Sequence, residues 1–230
     1  MAREPEIDYR FSTPICRVEL TGFDSHRAGL VRFVNGLRDN SEGIQSSNYL
    51  GWHSERNLHI EPKDPDMQWL VKKISINTVQ LIQRITGAET GVDVRLRELW
   101  ANINDSGGWN VPHVHPVSWA GVIYLTGSAA KGDVEAKRPR ELNEGDTVFL
   151  NPVAIATLFG QKNFSNYEAA PGYMLLFPGY LSHMVVPHTS PEQRITFAFN
   201  IDVLKKSERK PPKQQPIPAE HIRSKVNVIV

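Results

Sequence analysis

Arg194-Ile195-Thr196-Phe197-Ala198-Phe199-Asn200 alternates strictly between apolar side chains and small or polar ones. Successive side chains of an extended strand leave opposite faces, so Ile195, Phe197 and Phe199 share one face and Arg194, Thr196, Ala198 and Asn200 the other. The pattern predicts a strand over 194–201 with its aromatic face packed on neighbouring elements and its polar face turned toward an interior. An arginine on that inner face needs an anion, because a buried unpaired guanidinium is costly and a carboxylate satisfies its fork. The alternative is an exposed arginine at a strand start.

Working outward, the chain from Val92 to about Val203 consists of short β-rich runs separated by Gly, Pro and Asn. Candidate strands are Leu96–Asn104, Trp119–Thr126, Thr147–Leu150, Tyr173–Phe177, His183–Val186 and Arg194–Ile201. So many sheet edges are removed most economically by closing or stacking the sheet, which predicts a mainly β, jelly-roll-like barrel. Two longer connections, 127–145 and 151–172, have the length of lids or binding loops.

Upstream, Ile15–Leu20 reads as an opening strand. Leu30, Val31, Phe33, Val34 and Leu37 recur at helical spacing between Ser25 and Arg38, with Asp24 or Ser25 as the N-cap. A polar loop containing residues 47–54 follows. Met67, Leu70, Val71, Ile74, Leu81, Ile82 and Ile85 then form one stripe of a long helix that starts after Pro65-Asp66 and ends near Gly87. Both helices are expected on the outside of the sheet. The division that results is an N-terminal strand and helical support region over 1–91, a β core over 92–204 and a basic, Pro-rich tail over 205–230, in one structural domain. Val226–Val230 reads as a terminal strand.

The formal net charge of 230 residues is only +1, which gives no push toward nucleic acid or membrane. Cys16 is the sole cysteine, so an intramolecular disulfide and a cysteine-rich zinc site are excluded, and a reducing compartment fits. No run approaches the length of a membrane span, and residues 1–6 lack an apolar leader-like stretch. A cytoplasmic location is expected. The oligomeric state is not legible, and a homodimer is compatible with the sequence.

The chemistry lies in His113-Val114-His115-Pro116, joined by Phe177-Pro178…His183 and, eleven residues later, Arg194. His113 and His115 project from one side of an extended segment, and His183 arrives from a distant strand, which makes a metal site with open positions. Three readings of His115 compete: a third ligand, a group orienting a metal-bound water, or a structural histidine. Asp105, Asp133 and Glu135 are possible carboxylates that no spacing singles out. His188, in a Pro-His-Thr-Ser-Pro turn, reads as solvent-facing. Trp109 and Trp119 are candidates for the pocket border as well as for the core, and Lys131, Lys137, Arg138 and Arg140 read first as a solvated basic loop.

On these residues the chain resembles the 2-oxoglutarate and Fe(II)-dependent oxygenases. It is most similar to an uncharacterised bacterial and phage branch marked by Ser47-Asn48…Gly51-Trp52-His53-Ser54, Pro112–Pro116 leading into Ala120–Leu125, and Phe177-Pro178…His183…Arg194…Asn200. A more distant similarity is to the aspartyl/asparaginyl β-hydroxylases, whose glycine position holds His115 here and whose cosubstrate-binding position falls on Tyr124. The resemblance implies a double-stranded β-helix, cupin-like in form. It implies Fe(II) as cofactor, held by His113, His183 and, where it binds, His115. It implies 2-oxoglutarate and molecular oxygen as cosubstrates, with Arg194, Thr196 and Tyr124 binding 2-oxoglutarate. It also implies hydroxylation of a C–H bond in a small-molecule or peptide substrate, His113, His183 and Arg194 being catalytic. Two other readings remain: a cupin-type metal enzyme that does not use 2-oxoglutarate, and a jelly-roll binding or assembly module with structural zinc.

Overall fold

The computed structural model describes residues 12–87, 92–127, 142–153, 160 and 162–204. The tail with its expected terminal strand, most of the 127–145 connection, Asp133, Glu135 and the four basic loop residues lie outside the described residues. In chain order the elements are β1 (Cys16–Glu19), α1 (Phe23–Asp39), β2 (Asn48–His53), α2 (Pro65–Thr86), β3 (Asp93–His113), β4 (Trp119–Tyr124), β5 (Thr147–Leu150), β6 (Phe164–Tyr167), β7 (Tyr173–Pro178), β8 (His183–Val185) and β9 (Arg194–Leu204).

Among the described residues the strands form one antiparallel sheet in the order β1-β7-β4-β9-β3-β8-β5-β6, with β2 also paired to β3. The 21-residue β3 holds it together. Its first half pairs with β9 through Asn104↔Arg194, and its far end pairs with β8 through His113↔His183. The sheet curls because one strand serves both halves, and register shifts within β3 supply the bends.

The β9 alternation is realised as read. Ile195, Phe197, Phe199 and Ile201 are buried in one core cluster with Leu30 and Val34 of α1 and Met67, Leu70, Ile74 and Ile82 of α2. Fully burying a side chain of this size contributes about 1.5–3 kcal/mol, so this helix-covered face is the principal store of stability. Ile85, expected in the α2 stripe, is instead 37% exposed at the C-terminal end of the helix. Close approach across the sheet explains Gly121: a Cβ there would meet the Phe199 ring at 2.1 Å and the Leu175 carbonyl oxygen at 2.7 Å. Gly121→Ala is therefore expected to destabilise the protein by about 1–3 kcal/mol through overpacking. An unchanged urea midpoint would contradict this.

Three local readings are corrected. The N-cap of α1 is neither Asp24 nor Ser25 but Gly22 in the left-handed conformation (φ 87°), with no side-chain cap, whereas Asp64 caps α2 by accepting from the Asp66 and Met67 amides. The supposed polar loop over 47–54 contains β2. Finally, β6 arises within the 151–172 connection by pairing with β5.

Candidate metal centre and cosubstrate pocket

Strand register sets four rows of side chains along the concave wall. Asn104 pairs with Arg194, Asn102 with Thr196, Trp100 with Ala198 and Glu98 with Asn200. All of these except Asn104 line a cavity of about 420 Å³, which also takes in His53, Arg56, His113, His115, Thr147, Phe177 and His183. The inner face expected from the sequence is therefore the wall of a pocket.

Along it stand the three histidines. The His113 and His183 rings are 4.3 Å apart, and each lies 5.1 Å from His115. One ligand atom from each comes within 4.8 Å of the others, which places all three around a point where one ion could be held. The His113 Nδ1 sits 2.6 Å from the Val111 carbonyl and the His183 Nδ1 3.0 Å from that of Leu181. A neutral imidazole donating from Nδ1 to a carbonyl keeps Nε2 as a lone-pair donor for a metal. His115 lies beyond the end of β3, fixed by its amide donating to the Gly179 carbonyl at 2.9 Å. A Cβ at Gly179 would meet the His115 carbonyl at 2.7 Å, so the Pro178-Gly179 turn sets that position.

Desolvation by burial holds the histidines neutral. It lowers His183 to about 3, with His113 adding to the effect, and His115 to about 4; His113 shifts down as well. His53, stacked on Trp100 at 5.5 Å, is brought to about 4 mainly by burial. The ordinary value is 6.5, so as pH falls below it the unfolded chain takes up protons that native His53 and His183 refuse until about 4 and 3. Stability present above pH 6.5 is thus lost on acidification, by about 1.4 kcal/mol per pH unit for each buried histidine. The melting temperature of the metal-free protein is expected to fall between pH 7.5 and 5.5, and less steeply for His53→Phe. Equal slopes would contradict the burial argument.

Arg194 is 2% exposed and has no carboxylate partner among the described residues. Its guanidinium donates to the Gly145 carbonyl (3.0 Å), Thr147 Oγ1 (3.3 Å) and Asn104 Oδ1 (3.4 Å), all neutral oxygens. Burial pulls its pKa down, opposed by Tyr124 and Asp146. A cation kept in a pocket wall on neutral acceptors is a ready anion site. Thr196, 1% exposed, lines the same wall. Tyr124 is not among the lining residues: its hydroxyl, pushed up to about 12 chiefly by burial, donates to Thr147 Oγ1 at 2.8 Å and holds that side chain beside Arg194.

Other expectations fare differently. Asp105 forms a bidentate pair with Arg38 and stands apart from the histidines. His188 is 1% exposed, not solvent-facing, its Nε2 3.1 Å from the Asn104 carbonyl. Trp119 packs on the core and Trp109 against Tyr49, while Trp100, unsuspected from sequence, lines the pocket. Thr147 and Glu98 were also missed, having no local motif; His53 had a signal in the Trp52-His53 pair.

Residues 98–200, which span both the histidines and Arg194, match the 2OG-Fe(II) oxygenase family model. The segment that carries the candidate site is thus similar to the 2OG-Fe(II) oxygenases. Solved structures agree on the fold. HygX from Streptomyces hygroscopicus, with nickel, 2-oxoglutarate and hygromycin B bound, is 9% identical with a TM-score of 0.56, over 83% of each chain. A prolyl-4-hydroxylase from Pseudomonas putida is 13% identical with a TM-score of 0.53, over 82% of this chain and 93% of that one. The viral collagen prolyl hydroxylase of Paramecium Bursaria Chlorella virus-1, in its 2-oxoglutarate complex, is 12% identical with a TM-score of 0.50, over 81% and 94%. No curated protein sequence matches the chain. The chain thus has the double-stranded β-helix fold of these oxygenases, and the matched segment holds both the histidine cluster and Arg194. No described helix is long and apolar enough to cross a membrane.

Proposed function

We propose that this oxygenase hydroxylates a C–H bond of a small-molecule or peptide substrate, with 2-oxoglutarate leaving as succinate and carbon dioxide. His113, His183 and His115 hold the Fe(II), and Arg194 with Thr196 holds the distal carboxylate of 2-oxoglutarate; Tyr124 acts by fixing Thr147. The observation that carries the reading is a buried guanidinium, without a carboxylate partner among the described residues, on the wall that leads to three neutral imidazoles. The donor set fits: nitrogen ligands with Nε2 free suit a divalent transition metal, and three protein ligands leave positions for a chelating 2-oxo acid. When bound, iron and 2-oxoglutarate together supply the oxidising chemistry.

The chain's own residues do the rest. The backbone carbonyls of Val111 and Leu181 orient two imidazoles, and Phe149 and Phe177, 5.9 and 4.7 Å from the His183 ring, exclude water on that side. Asn104, Thr147 and Gly145 hold the Arg194 fork in place, so little ordering is left when an anion docks. HygX carries hygromycin B and the viral enzyme is a collagen prolyl hydroxylase, which supports both substrate classes. The lone Cys16 supports a cytoplasmic setting. We further read 1–91 as the support region, 92–204 as the catalytic core and 205–230 as a basic, Pro-rich tail. Succinate release from 2-oxoglutarate by the Fe(II)-loaded protein tests the reading. No turnover and no 2-oxoglutarate binding would favour the cupin-type alternative.

A further inference from the structure

Deepening the oxygenase reading, and resting on it, we propose that the cavity end beyond Trp100 binds the head group of a free α-amino acid, with its ammonium on Glu98 and its carboxylate on Arg56. Position comes first. From Arg194 to Asn200 the wall runs six residues, roughly 20 Å at strand rise, which is more than a five-carbon diacid spans. The His115 ring contacts Trp100 at 5.8 Å, in the row between Thr196 and Asn200, so the histidine cluster divides the wall. Arg194 and Thr196 lie on one side of it, Glu98 and Asn200 on the other. The second end is left for the substrate.

Charge and hydrogen bonding then select the substrate. Glu98 is held by the Asn200 Nδ2, which donates to it at 2.5 Å. Arg56 is held separately: it donates to Ser46 Oγ at 3.0 Å, and its guanidinium lies 5.5 Å from the Trp100 ring. The two charges stand 3.9 Å apart, beyond hydrogen-bond distance, with side chains 42% and 28% exposed. So exposed a pair contributes little to stability, and each partner keeps unused hydrogen-bonding capacity. The carbonyl oxygen of Asn200, a residue 2% exposed, has no partner among the described residues, and Glu98 fixes that amide's orientation. Arg97, the second cation at this end, faces Asp202 at 3.6 Å, a carboxylate whose other oxygen already accepts from Arg95 at 2.6 Å. An anion placed on Arg56 would face Glu98, and a cation placed on Glu98 would face Arg56. A zwitterion with adjacent ammonium and carboxylate satisfies both. Because His115 and Arg56 touch the same indole, the amino acid's side chain would extend toward the metal.

The test is an anaerobic titration of the protein loaded with Fe(II) and 2-oxoglutarate, following the visible charge-transfer band as each common free amino acid is added. At least one is expected to perturb the band at about 10 mM or below, the weak affinity that a head group and short side chain provide. N-acetylation or carboxamide formation on that amino acid is expected to weaken it by about tenfold or more, as loss of a charged hydrogen bond does. Glu98→Gln, which keeps an oxygen for Asn200, should weaken the free amino acid similarly and leave 2-oxoglutarate affinity unchanged; Arg56→Gln should do the same. The proposal is overturned if no amino acid perturbs the band, if the blocked derivatives bind as well as the parent, or if both variants bind it normally. Absence of the band itself would overturn the oxygenase reading as well, whereas a band that no amino acid perturbs overturns this proposal alone.

Discussion

Arg194→Ala is expected to raise the dissociation constant for 2-oxoglutarate by about 30-fold or more while leaving Fe(II) affinity within a few fold. Truncating one partner of a buried, hydrogen-bonded charge pair costs about 2–5 kcal/mol, and the lower bound of that range sets the figure. Selectivity follows from geometry: Arg194 pairs with Asn104 in the first row, whereas the histidine cluster contacts Trp100 two rows on. The substitution also strips donors from the Gly145 carbonyl, Thr147 and Asn104, so a stability loss of about 1–3 kcal/mol should accompany it. Arg194→Lys keeps the charge but not the fork and should fall between wild type and alanine. Calorimetric titration with Fe(II) and then 2-oxoglutarate reads both affinities. Equal losses of the two would contradict the assigned role.

His113→Ala and His183→Ala should each lower Fe(II) affinity by on the order of 100-fold or more, because loss of a direct ligand costs at least as much as the 10–100-fold attached to groups that merely orient ligands. His115→Ala decides among the three readings of that residue. A third ligand predicts a loss comparable to the other two, whereas a water-orienting or structural histidine predicts iron retained with affinity changed by a few fold. The 5.1 Å spacing of His115 from both other rings supports the first. His183 is 7% exposed and packed against Phe149 and Phe177, so its removal also leaves a cavity, and melting curves of the metal-free variants separate that cost from metal loss.

How much of this was legible depended on whether the determining physics was local. The β9 alternation fixed both faces of one strand, and the face assignment carried Arg194 and Thr196 into the pocket. The α2 stripe marked a helix ending near Gly87, as observed, while its start lies at Pro65, two residues before the expected one, because Asp64 caps it. Three histidines in two stretches were enough to nominate a site, because residue type and spacing limit what can share an ion. Apart from the α1 N-cap, the misses are tertiary. Asn48–His53 reads as a loop because it contains Gly51 and polar residues, yet it pairs with β3 around an irregularity where Leu50 takes a φ of 49°. Gly51 is needed there, since a Cβ would lie 2.9 Å from the Ile103 carbonyl. Phe164–Tyr167 is too short and polar to stand out, and only β5 makes it a strand. His188 looks like a turn residue but is buried by contact with a carbonyl 84 positions away. Thr147 carries no motif, and its importance lies wholly in what Arg194 and Tyr124 do with it.

The most direct test of the central claim, that one iron bound by His113, His115 and His183 is chelated by a 2-oxo acid anchored on Arg194, is an anaerobic difference spectrum recorded as 2-oxoglutarate is added to the Fe(II)-loaded protein. A weak visible band that saturates at one equivalent per chain, and that requires far more 2-oxoglutarate in Arg194→Ala, is the predicted result. Iron that stays bound while no band develops, or a band that saturates identically in the variant, would contradict it.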